Sequence, residues 1–263
     1  MGILPQRSVA VKKLFMTMDF DDLMFNNEIE TMMLAQHENI VQFLGYCSYT
    51  EVKEAEYQGK VVMAETRERI LCFEYLSNGS LEHHISEASS GLEWEARYQI
   101  IKGICDGLYY LHRKHIVHMD LKPNNILLEG NMAPKIADFG ISRCFGENQS
   151  RTVTINKIRS LGYLAPEFIG NGVITFKSDV YSLGVTITEI LTGHKGSIEI
   201  ENVLESWNNR LETSSLAIVL SEQVRVCAEI SMACTNFDPE KRPDIQSIIE
   251  ILVETETEGT VAV

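Results

Sequence analysis

The stretch at residues 94–113 constrains this chain more than any other. Ile100, Ile101, Ile104, Leu108 and Leu111 recur at helical spacing and form one apolar stripe, so the stretch reads as an amphipathic helix. It leads into the polar segment His118-Met119-Asp120-Leu121-Lys122-Pro123-Asn124-Asn125, which sets an acid, a base and an amide within eight residues. A second acidic signature, Asp138-Phe139-Gly140, follows. An Asp, an Asn five residues on and an Asp thirteen after that suit a metal–phosphate site. Hard oxygen ligands hold magnesium, and a free carboxylate can orient a hydroxyl nucleophile.

The flanks divide into a strand-rich first part and a helical second part. Residues 8–15 read as a strand, with Val9 and Val11 buried and Lys12 emerging at one end. Residues 19–35 read as a helix with Phe25, Ile29, Met32 and Met33 in its stripe. Glu28 lies beside that stripe; buried there it needs a cation, and Lys12 is the candidate. Residues 40–47 and 70–76 are apolar enough for strands. Residues 50–69 between them read as a charged surface connection with a short strand near 60–64. Ser77-Asn78-Gly79-Ser80 is a turn cluster and reads as a hinge.

Past the opening helix, 125–128 and 134–137 suggest two short strands around Glu129-Gly130-Asn131. Residues 138–167 read as a long polar loop of the kind that carries function. Residues 177–193 return to a helix with Gly193 as C-cap. The stretch 194–215 is polar, 221–234 and 243–253 are helical, and 254–263 is an acidic tail expected to fray.

Composition narrows the classes. With 263 residues, 44% hydrophobic and 23% charged, the chain is long enough to bury real cores and is not of disordered type. A net charge of −14 argues against a nucleic-acid partner, which needs a basic face to displace counterions. Six scattered cysteines form no C-x-x-C pair and read as reduced, buried thiols of an intracellular protein. No apolar run reaches about 18 residues, so no membrane span is expected.

Taken together, the motifs resemble those of eukaryotic protein kinases, and more narrowly the kinase domains of plant receptor-like kinases. The marks are Val9-Ala10-Val11-Lys12, Glu28, His118-x-Asp120-x-Lys122-x-x-Asn125, Asp138-Phe139-Gly140 and Ala165-Pro166-Glu167. Gln36-His37-Glu38-Asn39-Ile40-Val41, Asn78-Gly79-Ser80-Leu81 and Ser178-Asp179-Val180-Tyr181-Ser182-Leu183-Gly184 add to them, in the same order. The resemblance covers nearly the whole chain. It implies an α+β, two-lobed fold, with a small lobe to about residue 76, a helical large lobe over 77–253 and the tail beyond.

It also implies roles. Lys12, held by Glu28, would contact the ATP phosphates. The backbone of Glu74 and Leu76 would read the adenine, with Phe73 behind it. Asp120 would be the catalytic base and Lys122 would neutralise the transferring phosphate. Asn125 and Asp138 would hold Mg2+. Asp179 would brace the catalytic loop, and Glu167 would pair with Arg242. The expected reaction is transfer of the ATP γ-phosphate to a protein serine or threonine hydroxyl, since Lys122-Pro123-x-Asn125 resembles the serine/threonine form of the loop. The implied setting is intracellular, at the plasma membrane if the domain belongs to a receptor.

The chain departs from the family pattern in three places. No G-x-G-x-x-G loop precedes Lys12, and Gly2-Ile3-Leu4 resembles the end of the second strand. The small lobe is therefore expected to be truncated, lacking backbone N–H donors over the phosphates. That supports an alternative, a pseudokinase or scaffold module with impaired ATP use. Met119 stands where most kinases carry an arginine that pairs with a phosphorylated activation segment, as in the non-RD subgroup of plant receptor kinases. Ser142, Ser150, Thr152, Thr154 and Ser160 remain candidate phosphorylation sites. Arg159-Ser160 replaces the Gly-Thr usual before Leu-Gly-Tyr.

Overall fold

Short-range pattern sets the first layer. In the computed structural model, which describes residues 2–4, 7–14, 19–85, 91–146, 149–154, 162–211 and 216–261, the small lobe is one antiparallel sheet and one helix. Strands β1 (Gly2–Leu4), β2 (Arg7–Leu14), β3 (Phe43–Tyr57) and β4 (Lys60–Glu74) take the order β1-β2-β4-β3. Helix α1 (Asp19–Leu34) packs on the sheet through Phe25, Ile29 and Met32, all buried.

The reading of 50–69 as a surface connection is wrong. These residues are the arms of a ribbon paired from Phe43↔Phe73 to Tyr57↔Lys60. Gln58 and Gly59 close it with φ of 52° and 74°, both in the left-handed region that a two-residue hairpin turn of type I′ requires. The ribbon outruns β2, which pairs β4 only from Glu74 to Arg69. Its far end therefore has no buried face, and Val52, Val61 and Met63 lie exposed. A strand solvated on both faces carries no alternation to detect.

The large lobe is helical. It comprises α2 (Glu82–Ile85), α3 (Trp94–Arg113), α4 (Pro166–Asn171), α5 (Phe176–Thr192), α6 (Ile200–Leu211), α7 (Ala217–Cys234) and α8 (Ile245–Val261). Short strand pairs join β5 (Ile116–Val117) to β8 (Arg143–Cys144), β6 (Ile126–Leu128) to β7 (Pro134–Ile136), and β9 (Thr152–Val153) to β10 (Val173–Ile174). The stripe of α3 is fully buried, each such side chain contributing about 1.5–3 kcal/mol. Helix α5 starts in a reciprocal cap between Thr175 and Ser178 and stops at Gly193, φ 81°. Between α5 and α7 the helices touch at Gly184, where a Cβ would lie 2.6 Å from that of Cys234.

Two further expectations are corrected. Residues 194–215 contain α6, whose Val203, Trp207 and Leu211 are buried at four-residue spacing; the polar residues between them obscured a three-residue stripe. The tail does not fray at 254. Helix α8 continues to Val261, with Thr255 buried and Glu256 bonded to Gln99 (3.1 Å) and to Lys102 of α3.

The lobes share one apolar core, from Phe25, Leu71 and Phe73 through Ile136 to α3 and α5. Backbone bonds stitch them: Val41 N–H donates to Ile136 O (3.0 Å), and Ile136 N–H to Asn39 O (2.9 Å).

Candidate active site

Strand alternation puts Ala10, Lys12 and Leu14 of β2 on one face, with Ala10 and Leu14 packed on the core. On α1, Phe25, Glu28, Ile29 and Met32 share a face, and Glu28 is 2% exposed. The two faces meet: Lys12 Nζ donates to Glu28 Oε1 at 2.9 Å and Oε2 at 2.8 Å. It also reaches Asp138 Oδ1 at 2.8 Å, so one ammonium joins the small lobe to the segment at Asp138.

Burial disfavours the charged form of all three groups. For Lys12 burial lowers the pKa, but the charges of Glu28 and Asp138 outweigh it and hold the ammonium above its ordinary value. Burial lifts the Glu28 carboxyl above the usual glutamate value against the pull of Lys12. At Asp138 burial pushes up, but Lys12, His118 and the Gly140 N–H prevail and hold the carboxyl low.

The loop before this segment is braced from below. Asp179, wholly buried in the first turn of α5, accepts the backbone N–H groups of His118 and Met119, each at 2.8 Å. His112 Nε2 adds a contact at 3.0 Å. The Asp120 N–H donates to His118 Nδ1 (3.3 Å), so Nε2 carries the ring proton and donates it to Ala137 O (3.1 Å). Phe139 is buried edge-on against the His118 ring at 4.9 Å. Met119 and Asp138 hold φ of 71° and 68°, a left-handed backbone that costs side-chain-bearing residues about 1 kcal/mol or more each.

Asp120 Oδ2 accepts from Lys122 Nζ and from Asn125 Nδ2, each at 2.8 Å. The same amide nitrogen donates to Asp120 O at 2.8 Å, which leaves the Asn125 amide oxygen as its free end. A cleft of about 240 Å³ opens above, lined by residues including Ala10, Lys12, Glu28, Phe73, Asn125 and Asp138. Glu74 also lines it; its N–H donates to Gln42 O (3.0 Å). Leu76 lies past the end of β4 and outside the lining, and its carbonyl accepts the Gly79 N–H at 3.4 Å. A larger hollow of about 590 Å³ lies behind the sheet against Met32, Phe43 and Tyr46; it holds none of the acidic or basic groups named above apart from Glu74.

Sequence reasoning missed how α1 is tied to the segment after Asp138. Asn27 Nδ2 donates to the carbonyls of Phe139 (3.3 Å) and Ser142 (3.1 Å). Buried Thr31 meets Ser142 Oγ at 3.1 Å. A threonine inside the apolar stripe of α1 was the available signal. Ser142, read as a phosphorylation candidate, is wholly buried in this network. Met119 is buried with Val117, Phe145, Leu164, Phe168 and Ile174 in a separate apolar cluster. Arg159 and Ser160 lie outside the described residues.

The lower brace forms as expected. Arg242, with its side chain wholly buried, donates to both Glu167 oxygens at 2.8 Å and to the carbonyls of Asn236 and Lys177.

A family profile described as "Protein tyrosine and serine/threonine kinase" matches residues 4–252. The chain is similar to Cysteine-rich receptor-like protein kinase 7 of Arabidopsis thaliana, 38% identical over 93% of this chain and 38% of that protein. Cysteine-rich receptor-like protein kinase 19 of the same plant is 36% identical over the same shares. The G-type lectin S-receptor-like serine/threonine-protein kinase RKS1, also from Arabidopsis thaliana, is 34% identical over 95% of this chain and 30% of that protein. The chain thus spans 30–38% of the length of these relatives.

Proposed function

The chain belongs to the protein tyrosine and serine/threonine kinase family, and from that premise we propose that it transfers the γ-phosphate of ATP to a serine or threonine hydroxyl of a protein. The observation that carries this reading is the single ammonium of Lys12 bonded to both Glu28 and Asp138, next to the Asp120–Lys122–Asn125 network. These groups would serve as a nucleotide-phosphate cation, two oxygen ligands and a hydroxyl acceptor, and Lys12, Asn125 and Asp138 line one cleft.

The donor set fits Mg·ATP. Asp138 keeps 46% of its side chain exposed. That suits an ion which takes one or two protein oxygens and shares the phosphates. Asn125 and Asp138 would hold Mg2+, which when bound neutralises phosphate charge. Lys12 would grip the α- and β-phosphates, fixed by Glu28. The backbone of Glu74 and Leu76 would meet the adenine edge, with Phe73 behind it. Asp120 would accept the substrate hydroxyl's hydrogen bond and aim its oxygen; this needs position rather than a raised pKa. Lys122, already 2.8 Å from Asp120, would compensate charge on the transferring phosphate.

The receptor-like names of the relatives support a setting on the inner side of a membrane. Among the described residues no helix is long and apolar enough to cross one. The alternative is a nucleotide-binding module with little turnover.

Incorporation of labelled phosphate into serine and threonine peptides separates the two. Wild-type turnover that falls at least about 100-fold in Asp120→Asn supports the kinase. Equal incorporation in both refutes it. Saturable Mg·ATP binding without turnover supports the module.

A further inference from the structure

A second polar hollow, of about 310 Å³, lies in the large lobe between the start of α3, the end of α5 and α6. None of its lining residues belongs to the cleft. Arg97 forms part of its floor and is 1% exposed. Its Nε donates to Leu92 O at 2.7 Å and its Nη1 to Ile190 O. Its Nη2 is buried with no hydrogen-bond partner. No carboxylate lies within ion-pair distance of it among the described residues.

A second guanidinium, that of Arg210, also lines the hollow. It sits 4.1 Å from the centre of the Trp207 ring, with Arg97 5.3 Å from the same ring. Two cations thus flank one indole. The ring attracts them but cannot supply the missing acceptor, and an unpaired buried donor in a folded protein demands an explanation. Burial, reinforced by Arg210, pulls the Arg97 pKa down to about 10, the sign expected of a cation short of counter-charge.

We propose that this hollow binds a phosphate group. Arg210, His194, Ser197 and Ser206 line it with donors, while Arg97 supplies fixed positive charge from the floor, where low dielectric strengthens it. A tetrahedral dianion offers enough oxygens to engage several separated donors at once, and charge-assisted bonds to guanidinium are the strong class. The volume would hold on the order of ten waters at ~30 Å³ each, so a phosphate still attached to a protein side chain also fits. Glu199 is the one carboxylate on the lining, and it opposes an anion.

The two tryptophans lie beside this hollow, Trp207 against both guanidiniums and Trp94 against Trp207. Trp94 and Trp207 lie 5.2 Å apart, and neither lines the cleft. We would titrate the full chain, at fixed ionic strength, with inorganic phosphate, a phosphoseryl peptide, its unphosphorylated form and chloride, following indole fluorescence. A saturable change is expected with phosphate or the phosphopeptide and not with the other two. It should survive Lys12→Met, weaken about tenfold in Arg210→Gln, vanish in Ser206→Glu and tighten severalfold in Glu199→Gln. Tighter binding of the peptide identifies the ligand as a phosphorylated side chain, and tighter binding of the ion as free phosphate. An equal response to chloride overturns the proposal, as does no response, an unchanged affinity in Arg210→Gln, or loss in Lys12→Met. Arg97 itself is left intact because it anchors two backbone carbonyls.

Discussion

Replacing Glu167 with glutamine tests how far the buried ion pair supports the large lobe. The Arg242 side chain is 0% exposed and that of Glu167 13%. Two bonds of 2.8 Å join them in a fork, and the guanidinium also lies over the Tyr181 ring at 5.0 Å. Glutamine keeps the shape and one acceptor but removes the charge. Arg242 then stays buried with only carbonyls for company. Breaking one side of a buried pair costs about 3–5 kcal/mol; the retained acceptor puts Glu167→Gln near the lower end, ~3 kcal/mol. That is about a hundredfold in the folding equilibrium, or roughly 6–12 °C in melting temperature for a domain of this size. Urea unfolding followed by tryptophan fluorescence would measure it. A double-mutant cycle with Arg242→Met should return a coupling above about 1 kcal/mol. A loss below about 1 kcal/mol in Glu167→Gln, the size seen for exposed pairs, would refute the argument that this contact is desolvated.

Other outcomes follow from the same packing. Gly184→Ala pushes a Cβ to within 2.9 Å of Ser231 O and Thr235 Cγ2, so it should destabilise by about 1–3 kcal/mol in thermal unfolding; a neutral result means α5 and α7 can part freely. Met119→Arg places a cation among Phe145, Leu164 and Phe168 and should lose about 3 kcal/mol by the same assay, where a surface loop would tolerate it. Lys12→Met should destabilise more at about pH 7.5 than at about pH 5.5. Without the ammonium, burial and the Asp138 charge push the Glu28 carboxyl further up, opposed only by the Phe139 N–H. The folded pKa of Glu28 then lies further above the unfolded one, the native state holds a proton that the unfolded chain has released, and stability falls as pH rises through that window. Equal losses at both pH values would show that burial is not the controlling cause.

Local pattern determined much of this protein. The stripe of α3 and the Gly193 C-cap of α5 depend on neighbours one to four residues away, so their elements were legible as strings of residue types; β2 was legible as a strand, although Val11, expected to be buried with Val9, is 42% exposed. The pairing Lys12–Glu28 was legible too, because a carboxylate beside the apolar stripe of α1 is tolerable only with a partner; Glu167–Arg242 and the bracing of the loop by Asp179 were expected only from the resemblance to protein kinases. The far ribbon of β3 and β4 was not legible, since it is solvated on both faces and its register comes from the turn at Gln58-Gly59. Helix α6 and the last turns of α8 depend on Trp207 Nε1 reaching Leu191 O at 2.9 Å and on Lys102 and Gln99 holding Glu256, contacts remote in sequence. Asn27, Thr31 and the unpaired donor of Arg97 acquire meaning only when α1 meets Ser142 and α3 meets α6. Met119 shows the division most clearly. In the sequence it is an absent cation beside Asp120. In the tertiary structure it is a buried side chain in the apolar cluster with Phe145, Leu164 and Phe168, because burial is decided by what the rest of the chain brings alongside.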